Sequence, residues 1–408
     1  MALILPGVTY WDGGSSGMRT ADIVCSGGVI SQLAAPGSTH AGADDEVLEV
    51  PDAVVLPGLV DGHVHLVWDS SQDPAAQVAA DGEQVTAIRA LTHAGAHLGA
   101  GVTTVADLGS NWDVSLAVDR AVREGHVRGP NVVATGRTVV MTGGHDPFWG
   151  NFCDGADAVV RGVREQIFAG ARIIKTCATG GVYGRAVGEE VGASEYTRAE
   201  LSALAGEAHR RGVRATAHAL GTEGIRNAVL AGIDVIQHGV FLTEDVVAAM
   251  VERGTVLSPT LAVYRTIAGG SAPEYAVAKA TEVVRAHRES VQMAIEAGVP
   301  VIAGTDSGSP GMPHPSLAAE LSALLDVGLA PMEVLKAATS RAGDALGVDA
   351  GRVRVGSPAD LIVVPGDPLT DPVAATRPRL VVLGGRVLGG AALDGPELGR
   401  AEAVRVLR

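Results

Sequence analysis

The sequence predicts an α/β protein: a (β/α)8 barrel, the TIM-barrel architecture, over residues 57–352, with a small β-sandwich domain built from both chain ends, residues 1–56 and 353–408. Three observations predict it. Both ends carry short strand-like runs cut by glycine and proline. The middle alternates short apolar runs with longer helical stretches. Residues with chemistry to offer recur where the apolar runs stop.

Before residue 57, Gly13-Gly14, Gly27-Gly28 and Pro36-Gly37 punctuate the chain, and Val47-Leu48-Glu49-Val50 and Ala53-Val54-Val55-Leu56 have strand composition. Residues 358–364 and 380–387 read the same way. Two β-rich ends around a different middle imply one domain assembled from both termini; two separate β appendages are the alternative. In the middle, strands are expected at 59–64, 102–106, 132–134, 172–174, 214–217, 235–237, 256–258 and 301–303. Helices are expected at 84–98, 114–124, 156–169, 197–211, 222–231, 243–253, 275–297 and 317–327. Continuous apolar strands separated by helices indicate a parallel sheet buried on both faces. Eight such units in roughly 290 residues fit a barrel. A doubly wound open sheet fits less well, because no glycine-rich phosphate loop follows the first strand.

Composition narrows the function classes. With 47% hydrophobic and 19% charged residues over 408 positions, the chain can bury a large core. A net charge of −15 argues against nucleic acid or an anionic membrane as partner. The three cysteines, Cys25, Cys153 and Cys177, form no CxxC pair and no even-numbered framework, which suits a reducing compartment. The apolar start Met1-Ala2-Leu3-Ile4-Leu5 lacks a basic flank and stops at Pro6-Gly7, so no signal peptide is expected. No apolar run reaches the roughly 20 residues of a membrane span. The expectation is a cytoplasmic protein with a small-molecule substrate; the sequence leaves a homo-oligomer open.

The stretch Pro57-Gly58-Leu59-Val60-Asp61-Gly62-His63-Val64-His65 ends an apolar strand in two histidines on one face, able to grip a metal together. Alone this pair is weak evidence. Four more residues of ligand type follow, each at a strand end: Lys175, His218, His238 and Asp306. In a barrel those ends share one mouth. Lys175 is one of only three lysines and follows two isoleucines, an expensive place for an ammonium. Burial beside cations favours its neutral amine, which can take up carbon dioxide as a carbamate and bridge two metal ions. Imidazole and carboxylate-type ligands without a thiolate cluster suit zinc, with manganese or cobalt as alternatives.

This pattern, His63-x-His65, Lys175, His218, His238 and Asp306, resembles the metal-ligand set of the amidohydrolase superfamily with a binuclear site. The resemblance also covers the entry 56–65 and the exit Gly356-Ser357-Pro358-Ala359-Asp360-Leu361. Met141-Thr142-Gly143-Gly144-His145, the run 175–182 and Ser258-Pro259-Thr260-Leu261 resemble the branch with Xaa-Pro dipeptidases and carboxypeptidase-like enzymes, near ochratoxin- and molinate-hydrolysing relatives. The resemblance implies that His63, His65 and Asp306 hold one divalent ion and His218 and His238 the other. Carboxylated Lys175 would bridge the two ions, as would an attacking hydroxide. Asp306 would accept the hydroxide proton and pass it to the leaving amine.

Around this centre, His145 lies on a glycine-bearing loop after the third strand, where it could bond the substrate carbonyl or the tetrahedral oxyanion. Tyr264 and Arg265 follow the seventh strand and could bind a substrate carboxylate. The 180–194 loop, with Tyr183 and Arg185, is a candidate lid. Cys177 has no evident base partner and reads as packing. The activity expected is hydrolysis of an amide bond in a dipeptide or N-acyl amino acid. A cyclic amide, lactone, carbamate or thiocarbamate is the alternative substrate. A non-catalytic scaffold on this fold is the remote alternative; it should have lost ligands, and all six are present.

Overall fold

The computed structural model describes residues 1–185 and 187–388; the stretch 389–408 of the expected β domain lies outside the described residues. The first five strands are β1 (Leu3–Tyr10), β2 (Arg19–Ser26), β3 (Val29–Ala34), β4 (Glu46–Val47) and β5 (Ala53–Pro57). Then β6 (Leu59–Val64), α1 (Pro74–Gly99), β7 (Val102–Asp107), α2 (Val114–Arg123), β8 (Asn131–Ala134), β9 (Thr138–Val140), β10 (Gly150–Phe152) and α3 (Ala156–Ala169) follow. The alternation continues with β11 (Ile173–Cys177), α4 (Arg198–Arg210), β12 (Arg214–Ala219), α5 (Thr222–Ala231), β13 (Val235–His238), α6 (Glu244–Arg253) and β14 (Val256–Ser258). Helices α7 (Leu261–Thr266), α8 (Glu274–Glu296), α9 (Leu317–Asp326), α10 (Pro331–Ala337) and α11 (Ser340–Leu346) lead to β15 (Leu361–Pro365), β16 (Leu380–Leu383) and β17 (Arg386–Leu388).

Strands from both chain ends share one eight-stranded sheet in the order β17-β16-β15-β5-β1-β2-β3, with β4 on β1. Antiparallel pairing of β15 with β5 joins the ends, in register Leu361 to Pro57 through Pro365 to Ala53. Its apolar face clusters Leu5, Ile23, Ile30, Val55, Leu361 and Val382. Register shifts between Leu5 and Val8, where Pro6-Gly7 interrupts the ladder.

The central strands lie in two parallel sheets, β6-β7-β8 and β10-β9-β11-β12-β13-β14. All residues of β6, β7 and β11 are buried, as expected of strands covered on both faces. Backbone bonds bridge the two sheets at both seams. Arg172 N–H donates to Ala134 O at 2.9 Å. On the other side Leu257 N–H donates to Pro300 O at 2.8 Å, and Gly62 N–H to Ala303 O at 2.9 Å. The expected strand at 301–303 is thereby reduced to a single parallel bridge, Leu257 to Val301. Ala303 N–H turns instead to Ala337 O, at the end of α10, and Val60 N–H to Ala338 O. The intruding α10 end takes donors a ladder would have used.

Helix boundaries follow local chemistry. Thr197 and Glu200 form a reciprocal capping box that starts α4. Helix α1 starts ten residues before the expected 84, because Asp73 caps it and Pro74 occupies its first turn, with a kink at Gly82. Gly58 is required where it stands: a Cβ there would meet Thr103 Oγ1 at 2.0 Å. Among the described residues no helix is long and apolar enough to cross a membrane.

Candidate active site

The six ligand-type side chains converge at the C-terminal ends of the parallel strands. His63 belongs to β6 and His65 follows it; Lys175 is in β11, His218 in β12 and His238 ends β13. Asp306 follows the bridge at Val301. All six line one cleft at this end of the sheets. Backbone strain gathers here as well. Asp146, His238, Thr260 and Asp306 have left-handed φ values of 58°, 72°, 50° and 59°, conformations held only where the surroundings over-determine them.

Hydrogen bonds behind the rings set the imidazole tautomers. His63 Nδ1 faces Gln237 Oε1 at 2.9 Å, and that amide is oriented by donating to Thr216 Oγ1. His65 Nδ1 faces Gly109 O at 3.3 Å. His238 Nδ1 faces Thr260 Oγ1 at 2.6 Å, and the hydroxyl gives its own proton to Pro259 O. Each Nδ1 therefore carries the ring proton, and each Nε2 turns a lone pair into the cleft. His63 Nε2 and His65 Nε2 lie 3.3 Å apart, and His218 Nε2 is buried without a partner. Burial first, and then neighbouring cationic groups, hold His63, His218 and His238 well below the ordinary imidazole range. Burial lowers His65 too, against the pull of Asp306. Neutral rings with opposed lone pairs repel each other unless a cation lies between them.

The donor set fits divalent ions. Ligand atoms of His63, His238 and Asp306 lie within 4.8 Å of one another. Asp306 Oδ1 stands 3.4 Å from His65 Nε2 and 3.8 Å from His63 Nε2, and accepts Ser309 Oγ–H at 2.8 Å. Lys175 is 2% exposed, and its Nζ is 4.0 Å from Asp146 Oδ2. Neutral imidazoles steadied through Nδ1 are the form in which histidine binds metal.

His145 joins this cleft, its ring stacked on His218 at 4.0 Å. Its Nδ1 meets Glu189 Oε1 at 2.6 Å, and its backbone N–H donates to Glu195 Oε1 at 2.7 Å. Burial opposes its protonation, but the charge of Asp146 and the Glu189 bond outweigh it and raise the pKa to about 9. Burial likewise pushes Glu195 up to about 7.

Tyr264 and Tyr183 line the cleft. The Tyr183 hydroxyl donates to Asp73 Oδ1 at 2.6 Å, pinning the 180–194 loop to the start of α1. Arg265 departs from the sequence expectation. It is not among the cleft residues and instead donates to exposed Asp326 Oδ2 at 3.3 Å. Consecutive residues on a helix point about 100° apart, so with Tyr264 inward Arg265 turns out. Cys177 is buried, free of disulfide, and donates to Asp146 Oδ2 at 3.3 Å.

Several supporting groups escaped the sequence reading. Asp61 accepts Thr305 N–H at 3.0 Å and Thr305 Oγ–H at 2.8 Å, tying β6 to the Asp306 segment. Burial pushes its pKa up to about 7. Fully buried Glu320 accepts the N–H groups of Leu261 and Ala262, fixing the first turn of the helix that carries Tyr264. Asp61 had a usable signal, an acid inside an apolar strand, the argument that singled out Lys175. Gln237 and Glu320 had none, because their partners are distant in sequence, and neither did the bond from Glu189 to His145, 44 residues away.

The family model described as the amidohydrolase family matches residues 54–388. Ochratoxinase of Aspergillus niger is 29% identical over 384 residues, covering 85% of this chain and 77% of its own. A Xaa-Pro dipeptidase crystallised with methionine in its active site superposes with a TM-score of 0.88 at 28% identity, covering 95% of this chain and 100% of that one. A prolidase complexed with N-methylphosphonate-L-proline gives 0.86 at 28% identity, covering 95% and 100%.

Proposed function

The chain belongs to the amidohydrolase family, hydrolases acting on carbon–nitrogen bonds, and from that premise we propose that it cleaves the amide bond of a dipeptide or N-acyl amino acid. The observation that carries this reading is the facing pair of Nε2 lone pairs on His63 and His65, 3.3 Å apart. His63, His65 and Asp306 would hold one divalent ion and His218 and His238 a second, with Lys175, as its carbamate, a ligand common to both; zinc suits the ligands best, with manganese or cobalt as alternatives. When bound, such ions would supply Lewis acidity toward the scissile carbonyl and the attacking water. Asp306 takes the proton of the attacking water and returns it to the leaving amine. His145 donates from Nε2 to the carbonyl oxygen as charge develops on it.

The same reading treats residues 57–352 as a (β/α)8 barrel, supported by backbone bonds at both seams between the parallel sheets. It treats the strands of both chain ends, which share one sheet, as a separate small β-sandwich domain. The net charge of −15 and the buried free cysteines support a cytoplasmic enzyme with a small-molecule substrate, without nucleic-acid or membrane partners. The similarity to a Xaa-Pro dipeptidase, a prolidase and an ochratoxinase supports the amide substrate.

One observation favours a second reading. With Arg265 turned to Asp326, no arginine among the described residues lines the cleft, so a substrate without a carboxylate, such as a cyclic amide, lactone, carbamate or thiocarbamate, also fits. Screening zinc- and manganese-loaded protein against dipeptides, N-acyl amino acids and their esters and amides separates the two. Turnover confined to free acids supports the first reading; equal or better turnover of neutral analogues supports the second.

A further inference from the structure

We infer that Glu189 is a positioning residue that aims His145 at the substrate and, with the same carboxylate, shapes the lid. The inference rests on the reading of His145 given above and goes beyond it. Glu189 lies on the loop between β11 and α4, and its side chain is 2% exposed. Oε1 accepts His145 Nδ1–H at 2.6 Å and Gly181 N–H at 2.7 Å, while Oε2 accepts Arg185 N–H at 2.5 Å. A buried carboxylate with three donors is a strong anchor, because charge-assisted bonds are roughly twice as strong as neutral ones.

The donors come from two loops, so the carboxylate ties one to the other. His145 arrives on the loop that follows β9. Gly181 and Arg185 bracket Val182 and Tyr183, which form one wall of the cleft. Gly181 lets the lid pass against the ring: a Cβ there would stand 2.3 Å from His145 Cε1. His218 stacks on the ring, and Glu195 holds the backbone N–H of His145. With Nδ1, the backbone and one ring face committed, Nε2 is the atom left to meet a substrate; it stands 3.5 Å from Asp146 Oδ1, too far for a good hydrogen bond. Whichever charge the ring carries, Glu189 keeps a proton on Nδ1.

A carboxylate that merely stapled a loop would act on the wall, and its loss would raise KM. A positioning residue acts through His145, and its loss lowers kcat. The variants to compare are Glu189→Gln, Glu189→Asp, His145→Ala and the double variant His145→Ala/Glu189→Gln, on the substrate of highest turnover in the screen. Gln keeps an acceptor for His145 but turns its amide donor on the N–H of Arg185; Asp keeps the charge and withdraws it by one methylene. Expected are a fall in kcat of at least about tenfold in Glu189→Gln with KM within about threefold, and no further loss in the double variant over His145→Ala. A proton spectrum supplies a readout apart from turnover: a downfield imidazole N–H resonance in wild type that disappears in Glu189→Gln and in His145→Ala. Losses that multiply in the double variant, or an unchanged kcat in both Glu189 variants, overturn the positioning role while leaving the hydrolase reading intact. Wild-type kcat in His145→Ala overturns the role assigned to His145, and the inference with it.

Discussion

His63 Nε2 and His65 Nε2 face each other across 3.3 Å, each on a ring whose Nδ1 is already bonded to an acceptor. That relationship suits the cleft to a cation placed between the rings. It depends on groups outside the ligand set, and so it predicts where affinity is controlled.

Gln237→Ala removes the acceptor that orients His63 and leaves Thr216 without its donor. Loss of such an outer partner typically costs 10–100-fold in metal affinity. Titration against a metal buffer should show a loss of about that size, with the melting temperature of the metal-free protein little changed. Unaltered affinity would show that Gln237 does not govern the ring.

Asp306→Asn keeps an oxygen near His65 but removes the proposed base. Turnover should fall by at least about 10²-fold, the low end of what general acid–base catalysis supplies, with metal content retained. Near-wild-type turnover would assign the proton to another group.

Tyr264 and Arg265, neighbours in sequence, should behave differently. Tyr264→Phe alters a cleft residue and should raise KM. Arg265→Ala breaks a surface pair with Asp326, worth about 0–1 kcal/mol, and should leave KM unchanged on every substrate. A rise in KM for free-acid substrates alone in Arg265→Ala would restore it as a carboxylate contact.

Stability in acid should depend on Asp22. Its carboxylate accepts the N–H groups of Gly37, Gly7 and Thr39, which hold its folded pKa down at about 2. The unfolded value is about 3.9, so the folded value is depressed. Its contribution is complete above the unfolded value and disappears as pH falls through the folded one. Asp22→Asn should therefore melt below wild type at pH 7, and the gap should close between about pH 4 and pH 2. A gap constant over that range would contradict the assignment.

The convergence of the six ligand-type side chains was legible because strand periodicity and strand ends are local properties. His63 and His65 share a face by their spacing, and Lys175 is conspicuous after Ile173-Ile174. The reduced eighth strand was not legible, because Ala303 gives its N–H to Ala337 through tertiary packing. Nor was the outward turn of Arg265. The first turn of its helix is set by the left-handed Thr260, at φ 50°, and by Glu320 on α9. The grip of Glu189 on His145 spans 44 residues of sequence, and no local pattern announces it.

A crystal structure of the metal-loaded protein with anomalous data at the metal edge tests the central claim most directly. The account predicts two ions per chain among His63, His65, Lys175, His218, His238 and Asp306, with density for a carboxyl group on Lys175 Nζ between them. A single ion beside an unmodified Lys175, in a preparation shown to be fully active, would contradict it.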